Sequence, residues 1–255
     1  MMKGKVVITG AASGIGAAVL KSELERAEHH IVAIDIDQSG LDAMKKSLTD
    51  EELSRITFCC LDLADRPAMQ AAVADFCQGE AGIDKVVISH ALSNENQIGQ
   101  QSVWDRVLDV NLHATQRLLA AVEPSLNAGG RVVILSSVLG KAGKVANSAY
   151  CVSKHGLLGL VKSLALDWAP RKITVNAVMP CWVDTPMLRR ELAPQADALG
   201  ISVERMIRQI KKRIPLKQLV KDSDVADTVA FLTSPAAAMI TAQGIVIDGG
   251  FGCGV

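Results

Sequence analysis

The chain contains one tyrosine, Tyr150, and a lysine, Lys154, follows it by four positions. On a helix such a pair lies on one face, its side chains a turn apart. A phenol titrates near pH ~10, too high for a base at neutrality. An ammonium held close favours the phenolate and brings that value down. The spacing therefore suits a proton-transfer device carried by a single helix.

A second set of residues suits nucleotide binding. The apolar run KVVIT leads into Gly10-Ala-Ala-Ser13-Gly14-Ile15-Gly16 and then into a helical pattern. Glycines at such a strand-to-helix turn let backbone N–H groups approach a pyrophosphate at a helix N-terminus. Asp35 stands nineteen positions past Gly16, at the end of the next apolar run. A carboxylate there accepts hydrogen bonds from both adenosine ribose hydroxyls and repels the 2′-phosphate of NADP. Ser13 and Ile36 offer no cation to reverse that preference, so the expected coenzyme is NAD. Asp62, in CCLDLAD, is placed to meet the adenine edge or to cap the following helix, a role Asp65 fills better.

These residues need a scaffold, and the hydrophobic pattern supplies one. Lys5–Thr9, Ile31–Asp35, Ile56–Leu61, Lys85–Ser89, Arg131–Ser136, Thr174–Val178 and Gly244–Ile247 read as strands. Most are continuously apolar, as expected of strands buried on both faces of a parallel sheet. Helical patterns lie near 14–27, 39–53, 66–77, 101–126, 148–168 and 222–233. The alternation predicts a single doubly wound α/β Rossmann-type domain over 1–255, a seven-stranded parallel sheet with helices on both faces. About thirty residues, 186–216, interrupt the rhythm, with prolines at 186, 194 and 215 and a helical pattern near 202–213. An insertion at the carboxyl end of a strand is where a substrate lid would grow.

Composition narrows the function classes. Formal charge is zero, and the densest basic stretch, Arg205–Arg213, is spaced as the solvated face of an amphipathic helix, so no nucleic-acid partner is expected. No apolar run approaches the ~18 residues of a membrane helix, and the first residues lack a signal-peptide pattern. The six cysteines, at 59, 60, 77, 151, 181 and 253, show no metal-ligand spacing with histidine. Buried thiols in a reducing cytoplasm account for them, with no metal site.

The glycine spacing, Asp62, Asn111 and Ser137 with Tyr150 and Lys154 together resemble the short-chain dehydrogenase/reductase family, over nearly the whole chain to the closing IDGG at 247–250. The resemblance implies that Tyr150 is the general acid/base and that Ser137, thirteen residues upstream, steadies the charge on the substrate oxygen. It implies that Lys154 lowers the Tyr150 pKa and binds the nicotinamide ribose, and that Asn111 holds a water linking Lys154 to solvent. In VNAVMPCWVDTP, it implies that the Val183 backbone bonds the carboxamide and that the Thr185 hydroxyl contacts carboxamide or phosphate. Ile15, Leu63 and Ala91 complete the expected coenzyme-facing set. A homo-oligomer, tetramer or dimer, is implied as well, packed through the helices at 101–126 and 148–168.

Two positions depart from the family pattern. Its Asn-Asn-Ala-Gly after the fourth strand is here Ser89-His90-Ala91-Leu92, with His90 either a substitute brace or a direct participant in chemistry. Cys181 replaces a glycine, as a tolerated small side chain or a redox-sensitive thiol. The Trp182-Val-Asp-Thr-Pro run and the insertion are similar to the branch holding 3-hydroxybutyrate and acetoin-type dehydrogenases, yet Leu139 stands where the former are expected to carry a histidine. Lys141 or Lys144 could clamp a carboxylate or simply be solvated. Leu92, Leu139, Trp182, Met187 and Leu188 point to a mostly apolar pocket, for a neutral secondary alcohol, cyclic alcohol or sterol-like ring (or the corresponding ketone) in preference to a small hydroxy acid. The alternatives are an NADPH-dependent carbonyl or 3-oxoacyl reductase and a non-catalytic NAD-sensing or scaffold protein.

Overall fold

The computed structural model describes residues 4–26, 29–79 and 81–253. Seven parallel strands form one sheet in the order β3-β2-β1-β4-β5-β6-β7. They are β1 Lys5–Thr9, β2 His30–Asp35, β3 Ile56–Cys60, β4 Ile83–Ile88, β5 Leu126–Leu135, β6 Thr174–Pro180 and β7 Gly244–Ile247. The strand order reverses between β1 and β4, which leaves a crevice beyond their carboxyl ends. The expected double burial holds for the inner strands, with every residue of β6 buried. It fails for the edge strands β3 and β7, each flanked on one side only, where several side chains remain accessible.

Helices cover both faces. The helices α1 (Gly14–Arg26) and α10 (Asp222–Leu232) close one, where Leu20 and Val229 pack on Ile8 and Val133. On the other face lie α4 (Arg66–Phe76), α6 (Ala114–Val122) and α7 (Ser148–Asp167), whose Met69, Leu118 and Leu157 meet Val7, Val86 and Ile134. The helical pattern at 39–53 is two helices, α2 (Gln38–Lys46) and α3 (Asp50–Ser54). Thr49 and Glu52 form a capping box that starts the second one afresh. No described helix is long and apolar enough to cross a membrane.

The pattern at 101–126 also breaks. It comprises α5 (Gln101–Leu108), a π-helical turn at Asp109–His113, α6 and a short 3₁₀ turn carrying Pro124. The π turn holds Asn111. Beyond β6, the insertion folds as a helix pair, α8 (Pro186–Ala198) and α9 (Val203–Arg213). Leu188, Leu192, Met206, Ile207 and Ile210 give the pair a small core of its own. Pro194 lies inside α8. Its ring costs the hydrogen bond to the Arg190 carbonyl, a loss borne at an exposed position of the helix.

Candidate active site

One cavity of about 680 Å³ opens over the carboxyl ends of the central strands. Its nucleotide end begins with the turn between β1 and α1. Gly10 has φ +67°, and a Cβ there would sit 2.8 Å from the His90 nitrogen. A Cβ on Gly16 would lie 2.0 Å from the Gly10 carbonyl oxygen, so this glycine serves close packing and stands behind the cavity wall. Gly14, at φ +53°, faces the Thr185 methyl group, 3.1 Å from where its Cβ would be. The loop is thus a backbone cradle at the start of α1, shaped for a pyrophosphate. Ser13, Ile15, Leu63, Ala91 and Val183 all line the same cavity.

Asp35 is fixed at the end of β2 by accepting from the Ala12 N–H (2.9 Å) and the Asp37 N–H (2.9 Å). Each bond uses a different carboxylate oxygen, which leaves both oxygens able to accept from ribose hydroxyls. Asp62 accepts from the Ala64 N–H and from Arg106, at 2.9 and 2.8 Å. Burial pushes its carboxyl up, but Arg106 and the Ala64 N–H hold it below its ordinary value. Asp65, not Asp62, caps α4 through the Ala68 N–H. Arg106 also lines the cavity and had no sequence signal, because α5 brings it to Asp62 across 44 positions. The glycine cradle and the oriented Asp35 fit a dinucleotide.

Ser137 follows β5, Tyr150 and Lys154 sit on α7, and all three face the cavity. The Ser137 hydroxyl accepts from the Leu139 N–H (3.1 Å), which leaves its proton to donate, and it faces the Tyr150 phenol. The Lys154 Nζ lies 5.5 Å from the Tyr150 ring centre and donates to the Leu135 carbonyl at 2.7 Å. The pKa directions differ from the sequence expectation. Burial, then the charge of Glu191, raises the Tyr150 phenol above its ordinary value, although Ser137 favours the phenolate. Burial alone pushes Lys154 down to about 7. In a dry site desolvation penalises both charges, so the lysine does not overcome it for the tyrosine.

Asn111 is buried behind the wall, outside the cavity lining. Its Oδ1 accepts from the Leu92 N–H (2.7 Å), and its Nδ2 donates to the Leu92 carbonyl (2.9 Å) and to Ser153 Oγ (3.1 Å). Ser153 in turn donates to the Tyr150 carbonyl at 2.7 Å. Asn111 therefore ties the Leu92 loop to the backbone of the Tyr150 turn. The π turn matters here: one extra residue re-aims side chains around it, a device frequent at functional sites.

The two departures resolve in structural terms. His90 Nε2 donates to the Val110 carbonyl (3.1 Å), so Nδ1 is the acceptor and takes the Thr9 hydroxyl proton at 2.8 Å. Burial and the Lys154 charge push His90 down to about 4, which keeps it neutral. It braces β1 against the π turn. The Cys181 thiol is pushed up to about 11 by burial, which argues against a reactive thiolate. The cysteines are not uniformly buried: Cys60 is exposed, only Cys151 is buried among the described thiols, and the Cys253 side chain lies outside the described residues.

Leu92, Leu139, Trp182, Met187 and Leu188 line the same cavity. Trp182 meets Phe251 edge-on at 4.7 Å, and Arg213 covers both rings at 5.6 Å. The expected apolar pocket is nevertheless incomplete as a description. Ser93, Lys144, Asn147, Arg190 and Glu191 reach the same cavity, whereas Lys141 does not. Glu191 carries no sequence signal, because Pro194 interrupts the helical pattern of the α8 segment that presents it.

The chain matches a family model described as enoyl-(acyl carrier protein) reductase over residues 10–252. It is 34% identical to D-threitol dehydrogenase of Mycolicibacterium smegmatis, covering 98% of this chain and 94% of that protein. Identity is 32% with the 3-oxoacyl-[acyl-carrier-protein] reductase FabG of Thermotoga maritima, covering 98% of each. A tryptophan variant of actinorhodin polyketide ketoreductase, crystallised with NADPH, superimposes with a TM-score of 0.91 at 30% identity, over 99% of both chains.

Proposed function

The chain belongs to the short-chain dehydrogenase/reductase family, hydride-transferring oxidoreductases of alcohols and ketones, and within it we propose an NAD-dependent secondary-alcohol dehydrogenase or ketone reductase. The observation that carries the reading is one cavity shared by the glycine cradle, Asp35, Ser137, Tyr150 and Lys154. Membership of an enzyme family, with these groups retained, leaves no ground for a non-catalytic scaffold.

The coenzyme would supply the hydride acceptor in alcohol oxidation and the hydride donor in ketone reduction. The first turn of α1 with Gly10, Ser13, Gly14 and Ile15 would hold its pyrophosphate. Asp35 would accept from the adenosine ribose hydroxyls, Asp62 and Leu63 would bound the adenine, and Ala91 would border the coenzyme. The Val183 backbone and Thr185 would hold the carboxamide end. Lys154, with protons to spare beyond the Leu135 bond, would donate to the nicotinamide ribose. Ser137 would donate to the substrate oxygen and stabilise the negative charge that develops there. Tyr150 would give its proton to a ketone oxygen or take one from an alcohol. Because burial raises the phenol, Tyr150 rests protonated near neutrality, ready as an acid; alcohol oxidation should accelerate as pH rises. The α8–α9 pair would close over the substrate as a lid, in a single-domain cytoplasmic enzyme that works as a homo-oligomer.

A second reading, an NADPH-dependent 3-oxoacyl or carbonyl reductase, draws support from the FabG and ketoreductase relatives. Asp35 argues against it, since its carboxylate would lie against a 2′-phosphate. Direct titration separates the two: NADH should bind at least about tenfold tighter than NADPH, a gap of ~1.4 kcal/mol. Equal affinity, or tighter NADPH binding, would hand the case to the second reading. A panel of secondary alcohols and ketones, followed by NADH absorbance beside Tyr150→Phe, tests the chemistry itself.

A further inference from the structure

The substrate half of the cavity carries a carboxyl that this catalytic scheme does not use. Glu191 projects from α8 one turn after Met187, so both side chains line one wall. The carboxyl is half-buried, and the Ser93 hydroxyl, from the segment after β4, faces it. Lys144 and Arg190 bring positive charge to its surroundings and Glu95 brings negative charge. Among the described residues no cation stands within ion-pair distance of it; the Arg189 pairs go to Asp184 and Glu204 instead. Glu191 lines the same cavity as Tyr150, and its charge helps to raise the phenol.

Ser93 supplies one donor to this half-buried carboxyl, and its remaining lone pairs stay open to a second donor. An ammonium or a hydroxyl could be that donor. Lys144 and Arg190 already bring positive charge to the carboxyl, so a further cation gains little there. A neutral donor is favoured. A substrate carboxylate brought against Glu191 itself would meet a like charge, which disfavours that contact.

Building on the assignment of Tyr150 as the proton-transfer group, we propose that Glu191 determines specificity by accepting a hydrogen bond from a second hydroxyl of the substrate. The preferred substrate is then a neutral diol or polyol, with the corresponding hydroxyketone as product, in preference to a mono-alcohol or a hydroxy acid. A site built to bond a hydroxyl discriminates strongly against the analogue that lacks it, because its own polar group is left unpaired.

The test compares 2,3-butanediol, 2-butanol and 3-hydroxybutanoate as substrates, offered with each coenzyme, for the wild type, E191Q, E191L and Y150F. Wild-type kcat/KM should favour the diol over 2-butanol by at least about tenfold. E191L should collapse that ratio by a similar factor. E191Q, which keeps an acceptor of the same size, should fall between them and should gain on 3-hydroxybutanoate relative to 2-butanol. A wild-type ratio near one, no turnover of the diol, or a ratio unaltered in both variants would overturn the assignment. The two levels fail separately. Wild-type turnover in Y150F defeats the proton-transfer reading, whereas an inactive Y150F with an unaltered ratio in E191L and E191Q defeats Glu191 alone.

Discussion

Two buried polar clusters stand at opposite ends of the same sheet, and burial acts on them with opposite outcomes. At the amino end, Glu23 of α1 accepts from the Lys85 Nζ at 2.8 and 2.9 Å and pairs with His29 Nδ1 at 2.7 Å. His29 Nε2 lies 3.4 Å from Asp84, which also accepts from Asn127 at 2.7 Å. Burial pushes the Glu23 carboxyl up, yet His29 and Lys85 together bring it below its ordinary value. At the carboxyl end, the Lys154 ammonium meets a neutral carbonyl and is pushed down to about 7, while Tyr150 rises. Desolvation is common to both ends; countercharge is not. The amino end is a closed network that satisfies itself. The carboxyl end keeps donors and acceptors for a ligand, and the protein alone bears the cost.

The sharpest way to break this comparison is to remove one group from each end. Tyr150→Phe should lower kcat/KM by ~10²–10⁴-fold, the ordinary worth of a positioned acid/base. Its urea midpoint should barely move, since no closed network is opened. Lys85→Met should do the reverse. It strands the Glu23 carboxylate with His29 alone, and loss of one partner of a buried pair costs about 3 kcal/mol at the lower end of the usual range. The lower end applies because the Lys85 side chain keeps 15% of its exposure. Urea unfolding would measure it, and turnover per folded molecule should stay close to wild type. A large activity loss in Lys85→Met with an unmoved midpoint would erase the distinction between the ends.

The two clusters also differed in how readable they were. The carboxyl end is assembled from short local motifs: the glycine turn, the acid after β2, and Tyr150 with Lys154 on one helix. Such spacings survive as patterns in a string. Glu23 and His29 lie six positions apart, but Lys85 and Asn127 are distant in the chain, and only the sheet topology brings them in. The same reason hid Arg106, which meets Asp62 across the fold. Asn111 was recognised by its neighbours, but its setting was not. A π turn differs from an α-helix by one residue per turn and leaves the apolar pattern of 101–126 looking continuous. Most elements followed from the apolar runs. The extension of β5 back to Leu126 did not, since NAGG at 127–130 contains nothing that favours a strand.

A smaller effect should appear in the pH dependence of stability. Lys154 ordinarily titrates at 10.5 and in the fold near 7, so between those values the unfolded chain binds more protons. Stability must then rise with pH across that window. Glu23 has the opposite placement: its folded pKa lies below 4.5, so its contribution is present above that value and is lost on acidification. Between pH 7 and pH 9 the carboxyl end alone of these two should speak, with a rise in Tm of about 2–4 °C. Lys154→Met should flatten the rise, whereas Lys85→Met should leave its slope in place at a lower Tm. A slope that survives in Lys154→Met would mean that the lysine is not the depressed group.

The least effect is expected where a polar group at the carboxyl end belongs by its bonding to the closed kind. His90 touches the cavity, yet both ring nitrogens are engaged, with Thr9 and with the Val110 carbonyl. Pushed down to about 4, it has no proton to exchange in the range where Tyr150 and Lys154 work. His90→Asn restores the residue common in the family but shortens the reach, so one of the two bracing bonds should be lost. That costs about 1 kcal/mol in urea unfolding, the usual net value of one hydrogen bond. The pH profile of kcat/KM should keep its shape, because no titrating group has been removed. A limb that disappears from the profile, or a fall beyond about tenfold at constant stability, would move His90 out of the scaffold and into the chemistry. Position at the carboxyl end would then decide function more strongly than bonding does, and the contrast between the two clusters would rest on Lys154 and Tyr150 alone.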